Sequence, residues 1–245
     1  MQGLVYPSLP QGAVKTALCG DNADAVKLLS GHGIDVITID SNKRLPKPVC
    51  SHADMLCCHL SEDIIFSYSK SAEDAVQKSG IECIVPDIVP QPIYPYDIAL
   101  NCAVVGKYLV ANLNYACGEL LAAAQKLGLE LINVKQDYAR CSIAIIDENS
   151  VITADKNIAA KLREKGIDVL LIRPGHINLP GYGYGFIGGT CGKIAEDKIL
   201  FFGNPDLHPD GSSIRRFIES KGISVIAADG QLFDFGGFMP IKVTY

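Results

Sequence analysis

A histidine and an aspartate stand two residues apart in His52-Ala53-Asp54, at the head of an apolar, strand-like run. On a strand, residues i and i+2 share a face, so the imidazole and carboxylate are expected side by side, as a proton-transferring pair requires. The aspartate would orient the ring and raise its pKa. Read without function, the same two residues make loop hydrogen bonds near a strand start. Two cysteines occupy comparable places. Cys141, followed by Ser142, opens a strand-like run just after Lys135, Gln136 and Arg140, where a neighbouring cation would lower the thiol pKa and make a nucleophile. Cys191 lies in GGTCG, beside glycines that let a ligand approach the backbone. Both cysteines suit a buried strand as well as they suit chemistry. Asp97 and Asp234 join Asp54 at the starts of expected strands. Three carboxylates around one centre would hold a cationic group by charge-assisted hydrogen bonds, and otherwise they serve as turn acids. Asn101, Lys135 and Ser142 are candidate polar lining for the same place. Cys57-Cys58-His59 does not read as a zinc site, because adjacent strand residues face opposite ways and no second ligand pair follows. The sequence shows no metal site and no cofactor fingerprint.

These residues need elements to bring them together, and the chain writes one element boundary five times. GIDV begins at Gly33 and again at Gly166, GIEC at Gly80, GLEL at Gly128 and GISV at Gly222. A segment with helical spacing precedes each glycine and a β-rich run follows it, so each marks the end of a helix and the start of a strand. In the fourth copy Asp155 is the expected N-cap, and Ile158, Ala159 and Leu162 form the buried stripe. In the fifth, Ser212 or Ser213 caps a helix that buries Ile214, Phe217 and Ile218. Before each helix stands a strand, a tight turn and a second strand, as in CSIAII-DEN-SVITA.

The repeating unit is therefore ββαβ, and the chain holds four complete copies. The first copy has only its second half, near residues 14–39, and its missing opening strand stands at the other end of the chain in FDFGGFMPI. If the last strand pairs with the first, five units close into a ring without open sheet edges. The opening strands would line the axis, and the loops that feed them would form the mouth. The longest of these, Arg173 to Gly185, is a candidate lid, with Gly181, Gly183 and Gly185 as hinges and Tyr182 and Tyr184 as covers. A doubly wound open sheet, with Asp40 as a ribose-binding acid, lacks a glycine fingerprint and leaves the hairpins unexplained. The expected fold is a single α/β domain over residues 1–245, a five-bladed α/β propeller.

Bulk composition narrows the partners. Hydrophobic residues at 48% and charged residues at 20% describe an ordinary globular chain, and no apolar run reaches the roughly 18–20 residues that span a bilayer. A net charge of −5 argues against nucleic acid and suits a neutral or cationic small ligand. No secretory signal opens the chain, so its nine cysteines read as reduced core residues of a cytoplasmic protein. Nothing in the sequence speaks to oligomeric state.

A ring of five ββαβ units resembles the penteins, the guanidino-group-modifying superfamily. It includes deiminases, amidinotransferases, dimethylarginine dimethylaminohydrolases and non-catalytic ribosome anti-association factors. The stretches NVKQDYARCS, LPGYGYGFIGGTCGKI and LFFGNPDLHPD look like those of a bacterial family of that fold with no assigned reaction. The catalytic members use a cysteine near the chain's end, a His-x-Asp pair and further carboxylates that grip a guanidinium. His52-Ala53-Asp54 is similar to that pair, and Gly188-Gly189 to the paired glycines that open an inner strand. FDFGGFMPIKVTY carries no cysteine where the nucleophile is expected. The resemblance thus implies a hydrolase or transferase of a guanidine- or amidine-bearing compound. In it Cys141 or Cys191 attacks, His52 shuttles protons, and Asp54, Asp97 and Asp234 hold the cation. It equally accommodates a non-catalytic member that binds a small molecule or a protein.

Overall fold

All five repeated glycines adopt the left-handed conformation that ends a helix, with φ of 75° at Gly33, 80° at Gly80, 79° at Gly128, 82° at Gly166 and 74° at Gly222. A residue with a Cβ is strained there, which is why the same letter recurs at each boundary. The computed structural model describes residues 3–78 and 80–244. In the first unit β1 (Ala13–Gly20) leads through α1 (Ala23–Gly31) to β2 (Asp35–Ile39). The second unit runs α2 (Ala53–Leu56), β3 (Cys57–Ser61), β4 (Ile64–Ser67), α3 (Lys70–Gln77), β5 (Glu82–Ile84), and the third β6 (Ala103–Val105), β7 (Tyr108–Ala111), α4 (Gly118–Lys126), β8 (Glu130–Asn133). The fourth runs α5 (Ala139–Ser142), β9 (Ile143–Asp147), β10 (Ser150–Thr153), α6 (Lys156–Glu164), β11 (Asp168–Leu171). The fifth is β12 (Cys191–Ala195), β13 (Lys198–Phe201), α7 (Gly211–Glu219), β14 (Ser224–Ala227), and β15 (Phe238–Thr244) ends the chain.

Every sheet has three strands with one antiparallel and one parallel pairing, the hairpin and the crossover of a ββαβ unit. The fifth sheet of the ring joins the two ends of the chain. β15 runs antiparallel to β1, with Leu18 opposite Met239 and Ala17 opposite Pro240, while β2 lies parallel on β1's other side. The inner strands touch in sequence, β3 with β6, β6 with β9, β9 with β12 and β12 with β15, and α2 closes the circle against β15. The architecture is the five-unit α/β propeller of the penteins, and the open-sheet alternative is excluded by these pairings.

Helix ends follow local chemistry. Asn22 accepts from the amides of Asp24 and Ala25, Ser69 from Ala72, and Asp155 from Ile158 at 2.8 Å, so each cap satisfies an amide the helix leaves free. Ser212 and Ser213 are not caps: both lie inside α7, whose N-cap position is Asp210. Asp210 is engaged elsewhere, by Arg173.

The expected inner strands begin later than their apolar pattern indicates. Residues 53–56, 139–142 and 187–190 form single helical turns, and Asn101 N–H closes a similar turn on the Ile98 carbonyl at 2.8 Å. The turns pair the amides of Met55 and Leu56 with the His52 carbonyl, Ser142 with Tyr138 and Gly189 with Phe186, while Asp54 donates to the Gly236 carbonyl and Arg140 to the Asn101 side chain. His52 and Asp54 therefore share the start of a turn, not one face of a strand.

Packing fills the space between sheets and helices. Phe238, 1% exposed, heads β15 among Leu4, Cys19, Leu200, Phe202 and Val243, with its ring edge against Gly192. Phe238→Ala removes the side chain that seals the closing strand. It is expected to cost about 3–5 kcal/mol, read from urea unfolding.

Candidate active site

The helical turns at the axis present the residue before them and their third residue in similar ways. The residues just before the three turns, His52, Tyr138 and Phe186, all line one cavity of about 230 Å³. The third residues of two turns, Met55 and Cys141, line it as well, and the third residue of the last, Gly189, sits behind it against Asp234. Val49 and Leu179 complete an apolar wall, and Tyr182, Gly183 and Tyr184 of the long loop roof the opening. That loop rests on the segment before His52: a Cβ on Gly181, whose φ is 96°, would collide with the Pro48 ring.

Polar groups in and just behind this cavity are buried, and several lack partners. His52 Nδ1 lies 3.7 Å from Asp234 Oδ1 and 4.0 Å from Asp54 Oδ1. Neither contact is a hydrogen bond, and among the described residues Nδ1 and both Asp54 carboxylate oxygens have no partner. Asp54 is 1% exposed, and burial pushes its carboxyl up to about 6, against the opposing pull of His52 and with a further push from Asp234. Asp234 is raised too, chiefly by burial, although it accepts from the amides of Phe186 at 2.8 Å and Gly236 at 3.0 Å. Buried acceptors without donors are costly, and a protein keeps them where a ligand supplies the donors.

Cys141 sits among these groups. Its sulfur accepts from Asn101 Nδ2 at 3.0 Å, while Asn101 also donates to the Asp54 carbonyl at 2.9 Å and accepts from the Arg140 amide at 2.8 Å. Asn101 thus ties the second unit to the fourth and aims the thiol. Burial first, then the charges of Asp54 and Asp234, hold the Cys141 thiol well above its ordinary range. In the free protein it is a thiol, and a cation brought into the cavity would favour its thiolate.

Residues 20–239 match a family of unknown function, DUF6873. The chain belongs to that family. No curated protein is significantly similar to it in sequence. Among solved structures, inosamine-phosphate amidinotransferase from Streptomyces griseus superposes with a TM-score of 0.60 at 11% identity, covering 100% of this chain and 98% of that one. Agmatine deiminase from C. jejuni gives 0.57 at 9% identity, covering 97% and 96%. Dimethylarginine dimethylaminohydrolase from Pseudomonas aeruginosa, complexed with citrulline, gives 0.51 at 13%, covering 89% and 92%. At these identities the likeness is one of fold.

The terminal stretch of this DUF6873 chain carries no cysteine, and glycine stands at 236 and 237 ahead of β15. Gly236, with φ of 77°, packs on the His52 side chain, and a Cβ there would stand 2.6 Å from His52 Cγ. A Cβ on Gly189 would likewise stand 2.7 Å from Asp234 Cγ. Gly236→Ala, which adds both the collision and the left-handed strain, is expected to destabilise by about 3 kcal/mol or more in urea unfolding.

The candidates from sequence divide accordingly. His52, Asp54, Cys141 and Asp234 come together. Asn101 positions the thiol and does not face a ligand. Asp97 stands one layer out, accepting at 2.9 Å from the Tyr138 hydroxyl. Cys191 does not reach the cavity: its thiol donates to the Ile187 carbonyl at 3.6 Å and packs among Ala144, Ile146 and Phe201. Burial lifts that thiol to about 12. Ser142 turns into a neighbouring cleft, its hydroxyl buried without a partner. Lys135 is exposed and contributes its backbone amide to Asn157. Neither Lys135 nor Arg140, whose guanidinium binds the Ile143 carbonyl, activates Cys141, so the expected lowering of that thiol is reversed. Tyr138 and Phe186 went unnoticed as lining. Their signal was available in the register they share with His52 ahead of each inner strand. Among the described residues no cluster of three or more His, Cys, Asp or Glu is arranged to hold a metal, and no helix is long and apolar enough to cross a membrane.

Proposed function

We propose that this protein is a hydrolase or transferase of a small guanidine- or amidine-bearing compound, working through Cys141. The observation that supports the reading most is the company the thiol keeps: the Asp54 carboxylate and His52 Nδ1, both buried without a hydrogen-bond partner among the described residues, and the buried Asp234, beside a cavity of small-molecule size. A guanidinium or amidinium supplies planar N–H donors and the positive charge those groups lack.

The cation pairs with Asp234 and Asp54. The carboxylates then no longer oppose ionisation of Cys141, and the ligand's charge favours the thiolate beside it. The proton leaves Cys141 for His52. The thiolate attacks the central carbon, the C–N bond to the departing amine breaks, and His52 returns the proton to that amine. An S-linked amidinium remains on Cys141. Water, deprotonated by His52, releases it as a urea in a hydrolase, and a second amine releases it as a new guanidine in a transferase. In both cases the thiol is regenerated.

A pair of isosteric electrophiles tests this reading. 2-Chloroacetamidine carries the amidinium, and 2-chloroacetamide is neutral. At pH 7.5 the amidine is expected to alkylate Cys141 at least about tenfold faster, seen as a mass increase mapped to that residue. Equal rates, or labelling spread over other cysteines, would overturn the covalent reading. Thermal stabilisation by guanidine compounds without any labelling would favour a non-catalytic cation binder, for which the raised Cys141 thiol is the specific support.

A further inference from the structure

We infer that the ligand of this cavity is a dication, a guanidinium or amidinium joined by a short aliphatic chain to an amine, and not a guanidino acid. The inference rests on the guanidine reading above and concerns the far end of that ligand. Asp234 and Cys141 line the cavity, and Asp54 stands behind His52 at 4.0 Å. The other walls are Val49, Met55 and Leu179, which suit methylenes, and the rings of Tyr138, Tyr182, Tyr184 and Phe186. Those rings are neighbours: Tyr138 and Phe186 lie with centroids 6.0 Å apart, Tyr184 and Phe186 6.3 Å apart. Grouped aromatic faces attract a cation and offer a carboxylate nothing.

The polar groups at this end have the same sign. Tyr138 spends its one hydroxyl proton on Asp97 Oδ2, so toward the cavity its oxygen is an acceptor. The other oxygen of Asp97, fully buried, has no partner among the described residues. Asp137, also buried, stands beyond and receives Tyr94 Oη–H and the Asn112 amide. An ammonium here meets an acceptor, aromatic faces and two nearby negative charges. A carboxylate meets the same charges with no cation to pair with, the Tyr182 and Tyr184 hydroxyls being the neutral side-chain donors in the lining. No lysine or arginine lines the cavity. The nearest candidates on the mouth loops are engaged or turned away: Arg173 is clamped by Asp210 through Nε and Nη2, Lys135 is exposed, and Lys43, Arg44 and Lys47 take no part in the lining.

Three probes of one length test this: 1-amino-4-guanidinobutane, n-butylguanidine and 4-guanidinobutyrate, with binding measured by calorimetry on the full chain. The amine is expected to bind tightest and the acid at least about tenfold weaker than the amine. Tyr138→Phe should lower the amine's advantage over butylguanidine several-fold, and Asp97→Asn provides the same reading should the first variant fold poorly. If the acid binds as well as the amine, or if butylguanidine binds tighter than the amine, the dication inference is overturned and the guanidine reading stands. If none of the three binds, both fall.

Discussion

Cys141→Ala is expected to reduce turnover of a guanidine substrate by at least about a thousandfold while leaving its binding within a few-fold. A covalent route without its nucleophile has no slow version of the same step, and losses of this size or larger follow from removing such groups. The variant is expected to fold, because Asn101 keeps its bonds to the Asp54 carbonyl and the Arg140 amide when the sulfur is gone. Cys191→Ala is the matching control. That thiol, at the head of β12, is buried in the core cluster with Ala144, Ile146 and Phe201, so its loss should cost stability and leave turnover intact. Steady-state kinetics and equilibrium binding on both variants separate the two cysteines that the sequence left equivalent. Comparable turnover by the Cys141 variant and the parent protein would remove Cys141 from the chemistry.

Asp54→Asn is expected to make the protein more stable and worse at its task. Burial raises the folded-state carboxyl from 3.8 to about 6, so the folded chain holds a proton over a range where the unfolded chain has released it. Stability from this group is therefore full below about pH 4, declines as pH rises, and is lost above about 6. The penalty of the buried charge reaches about 2–3 kcal/mol at pH 7.5, and asparagine escapes it. Urea unfolding should find the two proteins alike near pH 4 and the variant ahead at pH 7.5. Guanidine binding should weaken by about 30-fold or more, since a buried partner of the cation has lost its charge. In the parent protein the same affinity should strengthen as pH rises through about 6, when Asp54 ionises. A variant less stable at pH 7.5 would show that the carboxylate is held by partners the protein itself supplies.

The raised Asp54 and Cys141 describe one device. Each group carries a cost in the empty cavity that a bound cation relieves, so stability given up in the free protein returns as affinity and as thiolate. Gly185, Gly189 and Gly236 permit this arrangement by letting the backbone close on Asp234 and His52, which leaves those side chains little freedom.

Periodicity and punctuation carried the architecture in plain view. Five left-handed glycines, the hairpins between them and a final strand without a partner sufficed to derive the ring, because these are local properties that each segment expresses wherever it stands. Asp155 could be named as a cap for the same reason. Local pattern failed at the axis. Residues 53–56 and 139–142 read as strand, yet they coil into helical turns whose amides are shared between their own carbonyls and distant partners, Gly236 and Asn101. That change of backbone decides which side chains meet. It carries Cys141 into the cavity beside His52 and leaves Cys191, at the true start of β12, in the core. It makes Asn101 a tether between units and gives Tyr138 and Phe186 to the wall. It also reverses the charge around Cys141, because Lys135 and Arg140 are close in sequence while Asp54 and Asp234 are close in space. The order of residues determined the units and their closure. Only the closed ring, where segments some 90 residues or more apart share a few cubic nanometres of low-dielectric space, decided which thiol faces which carboxylate.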